Sequence, residues 1–313
     1  MEKLIVSSSP HIHAKNTTQT IMRDVLIALA PATVAGVVLF GIRALVTVLA
    51  CVLSAVICEF LFNLICKKPQ TVSDLSAAVT GLILALCLPS TAGIWHCVVG
   101  SAFAIIVVKC LFGGIGCNFA NPAATARVFL LVAFPAVLGG GVATRFASAE
   151  LVSSATPLEV MKFGTDLPLP SVTDMLIGNR GGAIGETCIL ALVLGGIYLI
   201  ARRVIAWQVP VAYIATVFVL SLIVKQDINV ALYQVLGGGA VIAAFFMITD
   251  YSSTPVNKLG KIVFAALCGV ITMLIRFWGS YPEGVSFAIL IMNILSPYIE
   301  KMCAARPLGK VGK

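Results

Sequence analysis

Apolar residues dominate this chain in long runs, and polar residues collect in short intervals between them. About ten runs approach the ~20 residues that an α-helix needs to cross the hydrocarbon of a bilayer. They are Met22–Phe40, Ala44–Cys66, Ser73–Pro89, Ile94–Phe112, Ala123–Gly139, Glu186–Ala206, Val209–Lys225, Leu232–Asp250, Lys261–Trp278 and Gly284–Met302. The longest polar interval, Gly139–Gly185, separates the fifth run from the sixth. The pattern predicts an all-α integral membrane protein of about ten transmembrane helices. Residues 1–21 form a polar arm, 22–139 a first five-helix unit, 140–185 a loop, 186–302 a second five-helix unit and 303–313 a basic tail. About twenty polar residues precede the first run with no small-residue cleavage site, so it reads as a retained span and not as a signal peptide.

Composition agrees with this picture. Of the 313 residues 59% are hydrophobic and 11% charged, whereas water-soluble domains carry charge on roughly a quarter of their residues. The net charge of +8 follows from topology. Cytoplasmic loops hold an excess of Lys and Arg. With the N-terminus inside, the cytoplasmic side collects Lys3, Lys15, Arg23, Lys67, Lys68, Arg202, Arg203, Lys258, Lys261, Lys301, Arg306, Lys310 and Lys313. The other side receives Arg43, Arg145, Lys162, Arg180 and Lys225. Both termini are therefore expected in the cytoplasm and the 140–185 loop outside it, in the cytoplasmic (inner) membrane of a bacterium. Nothing in the charge calls for nucleic acid.

An odd number of spans per half makes the second half enter the membrane from the opposite side, so a repeat between the halves is inverted. Weak echoes fit one. Gly81–Pro89 has a counterpart in Ala244–Asp250, followed by Pro255, and Asn118-Phe119-Ala120-Asn121-Pro122 in Asn293-Ile294-Leu295-Ser296-Pro297. Gly, Asn and Pro at membrane depth break helical hydrogen bonding, which survives where protein or a water-lined cavity surrounds it. Gly113–Pro122 is the strongest candidate for such a broken helix, which presents helix ends to a ligand or ion. A tight turn between closely packed helices is the alternative.

Four acids lie at or near the apolar runs: Glu59, Asp74, Glu186 and Asp250. An ionised carboxylate costs at least ~2.5 kcal/mol at the bilayer centre, so each is a candidate for an ion pathway or for pairing with a base. Asp74 and Glu186 also suit helix starts, and Asp250 could pair with Lys258 or Lys261. All ten cysteines fall in or beside apolar runs without a CxxC pair, and read as small apolar residues. His11 and His13 belong to the arm, and His96 lies near a helix end. Neither a catalytic residue nor a metal site emerges.

Ordered motifs along nearly the whole chain carry a resemblance. They include Ser9-Pro10-His11-Ile12, Met22-Arg23-Asp24, Val79-Thr80-Gly81-Leu82, Leu111–Gly116 through Asn121-Pro122-Ala123, and Ser154-Ala155-Thr156-Pro157-Leu158. Gly185-Glu186-Thr187, Phe246–Asp250 and Tyr281-Pro282-Glu283-Gly284-Val285 follow. The chain resembles the RnfD component of the Rnf electron-transport complex and its relative, the NqrB component of the sodium-pumping NADH:quinone reductase. The shorter segment before the first span favours the former.

The resemblance implies an ion-translocating ferredoxin:NAD+ oxidoreductase assembled with the Rnf-type partner proteins RnfA, RnfB, RnfC, RnfE and RnfG. It also implies FMN joined through its phosphate to the Thr156 hydroxyl by a flavin transferase, within an acidic residue, then Ser-Gly-Ala-Thr. Here Ser154 replaces the glycine, Ala155 is retained and Glu150 stands in the acidic place. A second flavin, riboflavin, is implied non-covalently inside the membrane, with the Gly113–Pro122 break, including Asn121, and aromatic residues as its expected walls. The chain shows no nicotinamide-binding glycine fingerprint and no iron–sulfur cysteine series, so it is not expected to be catalytically complete alone. A solute channel or secondary transporter without a redox cofactor would share the architecture; the flavin separates the two readings.

Overall fold

The computed structural model describes residues 17–138, 141–142, 153–164 and 169–304. His11 and His13, Glu150, and all of the basic tail beyond Ala304 lie outside the described residues.

Each expected span corresponds to a helix or a helix pair. The first two are α1 (Thr18–Phe40) and α2 (Ile42–Ile65), divided by Gly41 at φ 74°. α1 starts at a reciprocal cap, in which Thr17 accepts from the Thr20 backbone and Thr20 answers. Next come α3 (Ser76–Leu86) and α4 (Ile94–Ala102), the latter continuing as a π-helical segment, Phe103–Cys110. The first half ends with α5 (Pro122–Ala133) and α6 (Pro135–Leu138). The connecting region pairs a short β1 (Gly141–Val142) with β2 (Ser153–Ser154) and carries α7 (Pro157–Phe163) and α8 (Val172–Ile177).

The second half holds α9 (Ile189–Ala201), α10 (Gln208–Lys225) and α11 (Ile228–Leu236). It continues with α12 (Ala240–Ile242), extended by a π-helical Ala243–Met247, and ends with α13 (Lys258–Trp278) and α14 (Val285–Cys303). Five helices, α1, α2, α10, α13 and α14, are long and apolar enough to span a membrane, and α11 with Ala240–Met247 makes an apolar pair bent by 62°, a broken span or a re-entrant loop. Four shorter apolar helices, Ser76–Leu86, Ile94–Cys110, Pro122–Ala133 and Ile189–Ala201, complete the set among the described residues.

The burial pattern is inside out relative to a soluble bundle. α2 buries Ala44, Cys51, Ser54, Ala55 and Glu59, and turns Leu49, Leu53, Ile57, Phe60 and Leu64 outward. Small and polar residues inside with bulky apolar ones outside suit a lipid surround, where close packing of small residues joins helices. The protein is a multi-pass membrane protein. Gly195 shows how close the approach is: a Cβ there would stand 2.0 Å from Ala28 O, so α9 of the second half lies against α1 of the first. The end of the connecting region also meets the first half, where Ile184 N–H donates to Leu88 O (3.0 Å) and Gly185 N–H to Leu86 O (2.8 Å).

Candidate functional site

Thr156 sits two residues after the end of β2 and caps α7. Its hydroxyl oxygen accepts from Glu159 N–H (3.3 Å), and Glu159 Oε2 accepts from Thr156 N–H (2.7 Å). Pro157 at the first helical position and Gly164 at φ 64° complete the start and stop signals. Thr156 is 5% exposed. It borders a pocket of about 540 Å³ of atom-free space, mouth included, whose wall also contains Cys87, Arg127, Tyr281 and Glu283. Arg127 and Glu283 form an ion pair there. Burial pushes the Glu159 carboxyl above the usual carboxylate range, and its hydrogen bonds with Thr156 oppose that rise.

A second cavity of about 750 Å³ lies between the two halves. Asn121 builds one wall. Its Oδ1 caps α5 by accepting from Ala123 and Ala124 N–H (3.1 Å each), and its Nδ2 donates across to Met247 O (3.3 Å). Asn118 Nδ2 donates to Ser252 Oγ (2.8 Å), and Phe245, Phe246 and Tyr251 line the opposite side. Both π-helical segments reach this cavity, through Lys109 and through Phe245–Phe246. Such segments recur at functional sites. Gly113, Gly114 and Gly116, at φ 118°, 96° and 86°, make the turn that brings Asn118 and Asn121 inward.

These motifs agree with comparison to known proteins. Residues 5–309 match the model of the NQR2, RnfD, RnfE family. The chain belongs to that family. It is 46% identical, over 98% of its length and 95% of the relative's, to the D component of the Na(+)-translocating ferredoxin:NAD(+) oxidoreductase complex of Acetobacterium woodii. It is 38% identical, over 95% and 93%, to the D component of the proton-translocating ferredoxin:NAD(+) oxidoreductase complex of Clostridium ljungdahlii. The D component of an ion-translocating oxidoreductase complex of Halorhodospira halophila is 36% identical over 97% and 95%.

Within this member of the NQR2, RnfD, RnfE family the four acids have separate surroundings. Glu59 is 1% exposed and paired with Lys109, itself 3% exposed, at 2.7 Å. Thr71 Oγ1 also donates to Glu59 Oε1 (2.7 Å), Lys109 donates to Ser76 Oγ (2.7 Å), and Glu59 Oε2 is buried with no partner among the described residues. Asp250 differs from expectation: its carboxylate accepts from the Ser252 and Ser253 hydroxyls (3.1 and 2.9 Å) and pairs with neither Lys258 nor Lys261. The chain turns at Tyr251–Ser253, which places these hydroxyls within reach and the lysines beyond it.

Asp74 closes a 3₁₀ turn, Val72–Asp74, and Leu75 at φ 61° separates it from α3, so it does not cap that helix. Glu186 precedes α9 by three residues, is 3% exposed, and accepts from Gly238 N–H at 2.9 Å. It therefore supports the bend between α11 and α12 and does not open α9. Of the four acids only Asp250, together with Lys109 and Asn121, lines the cavity between the halves.

Three groups escaped the sequence reading. Arg276 donates to Gln234 O and Oε1, Gly237 O and Gly238 O, the carbonyls freed by the α11–α12 bend. Arg180 donates to Leu236 O (2.9 Å) and Glu186 O (2.8 Å) at the same bend. Asp24 accepts from Arg202 (Nη2, 3.1 Å) and Tyr198 (3.2 Å), joining α1 to α9. Gly237-Gly238-Gly239 was the available signal for the bend, and a lone Arg within an apolar run the signal for its partner.

Proposed function

We propose that this chain is the flavin-carrying membrane component of a complex that passes electrons from ferredoxin to NAD+ and moves Na+ or H+ across the membrane. The observation that carries this reading is 46% identity, over 98% of the chain, with a relative named as the D component of such a complex. The Rnf-type partners RnfA, RnfB, RnfC, RnfE and RnfG would complete the assembly, since this chain holds no nicotinamide fingerprint and no iron–sulfur cysteine series.

Six long or bent spans and four shorter apolar helices support a ten-helix arrangement in two inverted halves. The Asn118–Pro122 and Asn293–Pro297 echo gains physical content, because with its amide oriented to suit its neighbours Asn293 accepts from Asn121 N–H at 2.9 Å. Both termini would lie in the cytoplasm and α7 on the opposite face.

The residues around Thr156 fit an FMN tether. The side chain borders a pocket, Arg127 brings positive charge and Tyr281 a ring to its wall, and an esterified oxygen keeps a lone pair for Glu159 N–H. Ser154, where the family pattern has glycine, has its backbone in β2. The cavity between the halves suits riboflavin, with amide edges from Asn118 and Asn121 and apolar walls from Phe245 and Phe246. Bound flavins would join two-electron donors to one-electron carriers. Glu59, Asp74, Glu186 and Asp250 remain the ion-pathway candidates, with Asp250 placed on the central cavity. In cells that carry the flavin transferase, the denatured chain should fluoresce in a gel under ultraviolet light, and Thr156→Val should be dark. A dark unsubstituted band would favour a transporter without a redox cofactor.

A further inference from the structure

A third pocket, of about 670 Å³ with its mouth, opens beside α7 and is lined by Lys162, Lys225 and Arg276 together with Leu158 and Phe277. Each cation stands in the last turn of its helix, α7, α10 or α13, where positive charge suits the helix dipole. That alone would be a structural role.

The hydrogen bonding goes further. Lys162 Nζ donates to Tyr281 O (2.6 Å) and Ile275 O (3.4 Å), Arg276 donates only to carbonyl and amide oxygens, and Lys225 lies 5.8 Å over the Phe277 ring. Among the described residues Lys162 and Arg276 are held by oxygen dipoles and Lys225 by an aromatic face, and none of the three by a carboxylate. No acid lines the pocket among the described residues. Those nearby are engaged: Glu283 with Arg127, Glu159 with Thr156 N–H, Glu186 with Gly238 N–H, and Asp227 with Asn229 N–H at the start of α11.

The pocket also lies at the ends of two long apolar helices, α10 and α13. Trp278, 69% exposed, follows Phe277, and exposed Phe163 and Ile228 follow Lys162 and Lys225 in sequence. Aromatic residues at the ends of spans mark the membrane–water boundary. Basic pockets between spans collect anionic headgroups, and the stems and apolar walls accept the adjoining glycerol and chain.

We infer that Lys162, Lys225 and Arg276 form a binding site for the phosphate of an anionic phospholipid. The lipid supplies the missing counter-charge and packs against α7, with Leu158 in the wall of its pocket. This assignment is independent of flavin attachment.

The test uses the full-length chain purified within its complex in mild detergent. Short-chain phosphatidylglycerol, phosphatidylcholine and inorganic phosphate are titrated separately, with native mass spectrometry and melting temperature as readouts. Phosphatidylglycerol should bind one site at least about tenfold more tightly than phosphatidylcholine, and Lys162→Gln/Lys225→Gln should weaken it about thirtyfold. Lys301→Gln, in the last turn of α14, should bind as the unsubstituted chain does. Lys225→Gln alone, which removes no hydrogen bond to the backbone, should weaken it several-fold and guards against misfolding of the double variant. Equal phosphatidylglycerol binding by the unsubstituted chain and Lys225→Gln would overturn the assignment. Displacement of the lipid by an equal concentration of inorganic phosphate would overturn its lipid identity.

Discussion

Lys109 Nζ lies 2.7 Å from Glu59 Oε1, joining the π-helical segment that continues α4 to α2 by an ion pair almost wholly shielded from solvent. Two charges at this depth are tolerable only together, because each compensates the other's lost hydration. Lys109→Met should therefore lower stability by about 3–5 kcal/mol, as expected for stranding one buried charge. Glu59→Gln/Lys109→Met should recover most of it. Melting temperatures of the two variants in one detergent make the comparison.

Gly195 fixes the contact between the halves. A methyl group there would meet Ala28 O at 2.0 Å and Phe246 at 3.2 Å. Gly195→Ala should cost about 1–3 kcal/mol through overpacking, with a lower melting temperature, whereas alanine at Gly114 meets nothing within 4 Å and is opposed only by its φ of 96°.

Arg276 satisfies the carbonyls released by the bend after α11. Arg276→Met should leave them unpaired at a cost of about 1–3 kcal/mol for each group left without a partner. Arg276→Lys should not restore the loss, since a single ammonium cannot reproduce the planar fork. Hydrogen exchange across residues 234–242 should rise in both variants.

The cap around Thr156 should respond to pH. The Glu159 carboxyl is pushed above its ordinary value by burial, so its folded form favours the proton. The stability it contributes is present below the unfolded carboxylate pKa and is lost as pH rises through the raised value. Exchange protection of residues 157–163, corrected for intrinsic rates, should fall over that interval. Glu159→Gln, which keeps an acceptor for Thr156 N–H, should abolish the dependence.

The apolar helices were legible because hydropathy in lipid is a one-dimensional signal. The bend after α11 went unread, although Gly237-Gly238-Gly239 marked it. The start of α7 carries a local signal: Thr156, Pro157 and Glu159 spell out a helix cap. Partnerships between distant residues were not legible. Lys109 and Glu59 lie fifty positions apart, and nothing in either neighbourhood names the other. Asp250 near Lys258 and Lys261 suggested an ion pair, yet local serines captured the carboxylate first. The structure brings Asn121 and Asp250 to one cavity, leaves Thr156 at another, and places Glu59, Asp74 and Glu186 in the lining of neither.

The central claim is the chemical state of Thr156. Peptide mass mapping of residues 140–185, from protein made in cells that carry the flavin transferase, reads it directly. A Thr156 peptide heavier by FMN less one water, and unshifted in Thr156→Val, is the expected result. An unmodified Thr156 peptide from the same cells would contradict it.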